Sequence, residues 1–226
     1  KAIAYVLDSR NNKRLVTKMG NDAYEVAGIG QIGSAYIFVK DRSLNTIEKA
    51  KGKKFAILHY DRAQKQMVER IGAIPVMSDI SNFIRKFNQN DVDIVAAPAY
   101  AFKPLEIYKG LGSKGGMIDF PVVNVTADLV LRQSEFPEGY AVKSRAWFVK
   151  QLPKSFAMVK RMEAEIPSKY RIQLTKEEKA AYQKLLRDGR IDLTAQGTYD
   201  AVMMTVLKKA RCTVERTNFE CSLSGE

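Results

Sequence analysis
Histidine is almost missing from this chain of 226 residues, cysteine is scarce, and no apolar run is long; each shortage removes a class of function. His59 is the one imidazole, so a Ser–His–Asp or Cys–His constellation has a single candidate base. No G-x-S-x-G elbow and no P-loop accompany it. Carboxylates are present, but no pair stands out as a general acid and base. Cys212 and Cys221 lie far from His59 and cannot complete a tetrahedral metal site between them. No apolar run approaches the ~20 residues that a membrane-spanning helix needs. No period of 20 to 50 residues recurs. The chain reads as a non-enzymatic protein with no metal site and no cofactor.

What it has in quantity is positive charge. Lys and Arg number 37 against 25 Asp and Glu, a net charge of +12. Such a field draws anionic partners. The basic residues are nevertheless dispersed, as in Lys13-Arg14, Lys51 to Lys54, Lys160-Arg161 and Lys208-Lys209. None forms a basic arm, and no zinc-finger or RNA-binding aromatic signature is present. The charge reads as a solvated surface, and nucleic acid is not an expected partner. A hydrophobic fraction of 46% and a mean hydropathy of -0.26 describe an ordinary globular protein with a sizeable core.

Periodicity gives the element order. Ala2, Ile3, Val6 and Leu7 stand at helical spacing, and a second short helix fits Lys13 to Met19, ended by Gly20-Asn21. Tyr24 to Gly30 and Ala35 to Val39 read as strands. Gly28, Gly30 and Gly33 between them have the wrong spacing for G-x-G-x-x-G and lead into a strand, not a helix. The stretch GKKFAILHYDRAQKQMVERIGAIPV then runs strand (Phe55 to Leu58), polar turn, helix (Ala63 to Ile71), strand (Pro75 to Met77). A helix at Ile80 to Asn88 carries the apolar stripe Ile80, Phe83, Ile84 and Phe87. A strand at Val92 to Ala97 stops at Pro98. Strands alternating with helices argue for a parallel α/β sheet.

The second half is different. Val122 to Leu131 reads as one long strand, and Pro137-Glu138-Gly139 as a turn. Helices follow at Val142 to Gln151, Phe156 to Glu165 and Lys176 to Asp188. The last is capped by Thr175 with Glu178 and ended at Gly189. Tyr199 to Ala210 is a final amphipathic helix.

In open parallel sheets, ligands bind beyond the carboxyl ends of the strands. Two such ends are His59-Tyr60-Asp61-Arg62 and Ala97-Pro98-Ala99-Tyr100. The candidate ligand-binding residues are therefore His59, Tyr60 and Asp61 on one side and Tyr100 on the other. Ser34 and Tyr36 approach from the preceding strand pair, and Asn124 and Thr126 from the long strand. They mix hydrogen-bonding groups with aromatic area, which suits a small molecule. The competing reading is that His59 and Asp61 cap the following helix while the tyrosines pack between lobes.

At residues 43 to 109 the chain resembles the TRAP-transporter periplasmic solute-binding proteins. The resemblance rests on the leader SLNTIEKAKGKKF, the step Gly72-Ala73-Ile74-Pro75-Val76 and the Asn90-Asp91-Val92-Asp93 strand entry. It is closer still to a divergent branch sometimes labelled "RND-type efflux pump involved in aminoglycoside resistance". That branch is expected to carry Gly33-Ser34-Ala35-Tyr36, Ala97-Pro98-Ala99, Phe102-Lys103-Pro104-Leu105-Glu106 and the Cys212 to Cys221 tail. The resemblance implies a two-lobed, type II-like α/β fold that closes on a solute by hinge motion. It also implies that βα units precede Lys1, so that the N-terminal part of the first lobe is missing. On this pattern, residues 1–43 belong to the rest of the first lobe and 44–121 to the second. Residues 122–226 supply the crossing strand, the helices completing both lobes and the tail.

The implied function is capture of a small solute in an interlobe cleft and its delivery to a membrane transporter. The alternative is an envelope accessory protein linked to efflux. In one respect the chain departs from the family. The strand motif G-x-K-x-R ends in an arginine that clamps the ligand carboxylate; here Gly52 and Lys54 are followed by Ala56. A bidentate guanidinium is the usual means of fixing a planar carboxylate, so a dicarboxylate is not implied.

Cys212 and Cys221 bracket Thr-Val-Glu-Arg-Thr-Asn-Phe-Glu near the C-terminus. They are either two unrelated buried thiols or a disulfide. A disulfide is preferred, because a polar tail has little else to hold it, and it points to an oxidising compartment such as the periplasm. Thiol titration of unreduced, denatured protein should find essentially no free thiol; two per chain would remove the compartment argument.

Overall fold
The computed structural model describes residues 2–225. The chain divides into two compact units, one made of Lys1–Ile32, Val125–Lys160 and Tyr199–Glu226, the other of Gly33–Asn124 and Arg161–Thr198.

The second unit is built on a sheet. Its strands are the later half of β1 (Tyr24–Val39), then β2 (Lys54–Leu58), β3 (Ile74–Ser78), β4 (Ile94–Pro98), β5 (Gly116–Ile118) and β7 (Arg171–Ile172), in the order β3-β2-β4-β1-β5-β7. β6 (Val123–Arg132) pairs with β1 off this path. β3, β2 and β4 are parallel, with Ala56 opposite Val76 on one side and Val95 on the other. β1 runs antiparallel to both its neighbours, with Tyr36 opposite Ala97 and Phe38 opposite Met117.

Side chains of these strands alternate between two cores. Tyr36, Phe38, Ala56, Val95, Ala97 and Met117 pack on one face with Phe83, Ile84 and Phe87 of α3 (Phe83–Asn88) and Ile107 and Leu111 of α4 (Ile107–Leu111). Val39, Phe55, Ile57, Ile94, Ile118 and Ile172 pack on the other with Val68 of α2 (Arg62–Arg70) and Tyr182 of α6 (Lys176–Ala195). A sheet covered on both faces explains why Phe55 to Leu58 is continuously apolar.

The capping box at Thr175 is complete: Glu178 N donates to Thr175 Oγ1 at 3.1 Å and Thr175 N to Glu178 Oε2 at 2.7 Å. Gly189 lies inside α6, not at its end. A Cβ there would stand 2.2 Å from Met67 Sδ, so the glycine lets α6 approach α2.

The first unit packs α1 (Ala2–Leu7) and α7 (Ala201–Val214) around Val6, Leu7, Leu15, Val16, Val26, Ile29 and Val206. Arg145 is 1% exposed within it, and its Nη1 donates to Glu25 Oε1 at 2.6 Å and to Val26 O at 2.8 Å. Its helix, α5 (Tyr140–Ala164), is 25 residues long. Pro153 lies inside it and does not divide it into the two helices expected from periodicity. The bond lost at the proline is offset by anchors on both sides, with Leu152 and Val159 buried and Ser155 Oγ donating to Gln31 O at 2.9 Å.

β1 is likewise one strand of 16 residues where two were expected. Gly28 serves packing: a Cβ on it would meet the Phe148 ring at 2.3 Å. Ile80 precedes α3 and is 65% exposed, so the buried stripe is Phe83, Ile84 and Phe87 alone. After α7, Cys212 and Cys221 are joined by a disulfide with a Cα–Cα distance of 5.6 Å.

Burial pushes the Tyr182 phenol up to about 12, with Glu178 and Glu48 acting in the same direction. Its hydroxyl donates to Asn45 O at 3.3 Å. In the unfolded chain the phenol titrates near 10, so the fold disfavours the phenolate. The contribution is intact below about pH 10 and is lost as pH rises through the folded value, a loss of roughly 2–3 kcal/mol. Tyr182→Phe should cost about 1 kcal/mol at neutral pH through the lost hydrogen bond, yet show a shallower fall in denaturation midpoint between pH 10 and 12 than the parent.

Candidate functional site at the carboxyl edge of the sheet
Because β1 is antiparallel to β4 and β5, its entry lies at the edge where β2, β3, β4 and β5 end. β7, parallel to β5, ends there too. That edge therefore presents, in strand order, Asp79, the His59-Tyr60-Asp61 turn, Tyr100, Ser34, Asp119 and Gln173. At a spacing of roughly 4.8 Å per strand the row is about 24 Å long, and the polar ends stand where open α/β sheets take their ligands.

The sequence-derived residues fall into groups. Asp61 is the N-cap of α2, its Oδ1 accepting from Gln64 N at 2.8 Å. His59 does not cap: its Nδ1 lies 2.9 Å from Asp79 Oδ1, both side chains being half-exposed. Tyr60 is 60% exposed and edge-on to the His59 ring at 5.1 Å. Tyr100 is exposed on the turn after β4. Ser34 and Asn124 come together, Ser34 Oγ donating to Asn124 Oδ1 at 3.2 Å, and the Ser34 hydroxyl acts on the Tyr36 phenol two residues along β1. Thr126 belongs to the other unit.

Sequence reasoning missed Asp119, Glu163 and Arg171, whose charges act on the Tyr36 phenol. Arg171 Nη1 donates to Asp119 Oδ1 at 2.6 Å, Nη2 to Glu163 O at 2.5 Å, and Nε to Ile166 O at 3.4 Å. Gln173 Nε2 holds the second Asp119 oxygen at 2.7 Å. Burial pushes the Tyr36 phenol above its ordinary value, and the Glu163 and Asp119 carboxylates push it the same way, against Arg171 and the Ser34 hydroxyl. The signal for these residues is faint in sequence. β5 and β7 are three and two residues long, too short for a period-two pattern to declare itself.

Ala56, at the position of the clamp arginine, is 1% exposed in β2. A surface hollow of about 260 Å³ lies elsewhere, between the C-terminal half of α2 and α6, with the Arg70–Asp192 ion pair in its wall. It is lined by none of the residues at the strand ends. Among the described residues no group of His, Cys, Asp and Glu is arranged to hold a metal, and no helix is long and apolar enough to cross a membrane.

A family model described as "Solute-binding protein AdeT 1/2" matches residues 1–226. "Probable solute-binding protein AdeT1" of Acinetobacter baumannii is 47% identical over 203 residues, 90% of this chain and 67% of that protein. A TRAP periplasmic solute-binding protein from Ralstonia eutropha H16, solved with bound (S)-2-acetolactate, has a TM-score of 0.72 at 14% identity, covering 91% of this chain and 68% of its own. Another from Desulfovibrio salexigens, with bound orotic acid, has a TM-score of 0.67 at 13% identity, covering 88% and 66%. The fold is thus that of the two-lobed TRAP periplasmic binding proteins. The chain spans about two thirds of the length of these relatives.

Arg171→Met would leave the Asp119 carboxylate half-buried without its cation. Such a change should cost about 2–4 kcal/mol of stability, read as a lowered urea midpoint. Asp61→Ala, which removes an N-cap, should cost about 1 kcal/mol. A reversed ranking would show that the Arg171 cluster is not structural.

Proposed function
The chain belongs to the AdeT 1/2 solute-binding protein family, and we propose that it captures a small solute at the carboxyl edge of its second unit and presents it to a membrane transporter from the periplasm. The observation that carries the reading is the gathering of polar and aromatic groups at the adjacent ends of β3, β2, β4 and β1: Asp79 with His59, Tyr60, Tyr100, and Ser34 with Tyr36 and with Asn124 of β6. These groups offer hydrogen-bond donors, acceptors and ring surface without a nucleophile activated by a base, an arrangement suited to binding rather than turnover. The disulfide supports an oxidising compartment. The solved neighbours with bound ligands support a small-molecule role.

Native mass spectrometry of gently purified protein should show a solute retained on the chain. Tyr100→Ala and His59→Ala should weaken its binding about tenfold, a loss of roughly 1.4 kcal/mol each. The ligand-free melting temperature should hardly move, since exposed side chains contribute within about 0.5 kcal/mol. Large losses of ligand-free stability with affinity intact would assign these residues to the scaffold and overturn the reading.

A further inference from the structure
Resting on the solute-capture reading above, we infer that Glu163 is a specificity-determining residue, selecting solutes that carry a protonated amine. Two carboxylates, Glu163 and Asp119, and one guanidinium, Arg171, are the charges acting on the buried Tyr36 phenol. The cation is already committed. All three of its nitrogens donate, to Asp119, to Glu163 O and to Ile166 O. Asp119 is committed as well, one oxygen to Arg171 and the other to Gln173.

The Glu163 carboxylate is differently placed. Its Oε1 accepts a backbone bond from Ser34 N at 3.4 Å, longer than the usual range for such bonds. Lys103, the nearby cation on the following turns, is paired to Glu165 at 2.7 Å. The neighbourhood of Tyr36 therefore carries an excess of one negative charge in a chain whose net charge is +12. A half-buried carboxylate with one weak partner gains most from a charge-assisted bond, and an ammonium group supplies both the charge and the donors.

The neighbours of Glu163 fit the rest of such a solute. The Ser34 hydroxyl donates to Asn124 Oδ1, which leaves the Asn124 amide nitrogen to donate to a hydroxyl or carbonyl oxygen. The Tyr36 oxygen stays protonated at neutral pH, since its ionisation is shifted upward. An incoming carboxylate would meet Glu163 and Asp119 with no uncommitted cation beside Tyr36 to offset them, and like charges at contact distance are costly. At the position of the clamp arginine, Ala56 contributes none.

The test is a matched set of probes: cadaverine, pentanediol and glutarate, and glucosamine, glucose and glucuronate. Each is followed by thermal shift and titration calorimetry on the full chain. The amine of at least one set should bind, and should bind more tightly than its alcohol and its acid. Glu163→Gln, with an unchanged far-UV spectrum, should weaken that amine at least about tenfold. Glu163→Asp, which keeps the charge, should restore most of it. Preferential binding of glutarate or glucuronate, or amine binding indifferent to Glu163→Gln, overturns the assignment. If no probe binds, the solute retained in native mass spectrometry decides: an amine supports the assignment and an acid overturns it. Absence of both probe binding and retained solute overturns solute capture itself, and the role of Glu163 with it.

Discussion
A strand that is buried on both faces can carry chemistry only at its ends. This constraint governs the second unit. Tyr36 and Phe38 point into one core and Ile37 and Val39 into the other, and the same alternation holds along β2 and β4. Between the strand ends the side chains other than Tyr36 are apolar, and the carboxylates, the imidazole and the other hydroxyls lie at the ends, chiefly at the carboxyl edge. The loops there are free to vary because the helices α2, α3 and α6 already cover the faces.

The same constraint explains how a structural arginine comes to lie beside the candidate edge. β7 is two residues long and would fray if held by its ladder alone. Arg171 fixes it by donating to the end of α5, through Glu163 O, and to the residue after β5, Asp119. A guanidinium suits this because its donors are rigidly disposed and reach several acceptors at once. The side effect is electrostatic: the cation is consumed by architecture and the nearby Glu163 carboxylate is left weakly paired.

Much of the fold is legible in the sequence where the signal is local. β2, α2 and β3 follow from an apolar run, a helical period and a Gly-Ala-Ile-Pro-Val step. The α6 cap follows from Thr175 and Glu178, and the cysteine pair from its position in a polar tail. Errors arise where tertiary packing overrides a local rule. Pro153 reads as a helix break but sits in a helix anchored on both sides. Tyr24 to Gly30 and Ala35 to Val39 read as two strands around Gly28, Gly30 and Gly33, whereas β1 is continuous and Gly28 is the space into which Phe148 packs. Of the candidate site, the turn at His59 and the Ser34–Tyr36 strand entry can be proposed from strand ends alone. Asp119, Glu163 and Arg171 cannot, because they meet Tyr36 only through strands too short to show a pattern and through the last turn of a helix.

Because His59 is the chain's single imidazole and lies 2.9 Å from Asp79 at the sheet's edge, the protein contains its own spectroscopic reporter. An imidazole gives carbon-bound proton resonances well separated from most of the spectrum, and here they need no assignment. Whatever settles on this edge, exchanges with solvent or displaces Asp79 is recorded by one side chain in the unmodified protein, without a label, a fluorophore or an engineered cysteine.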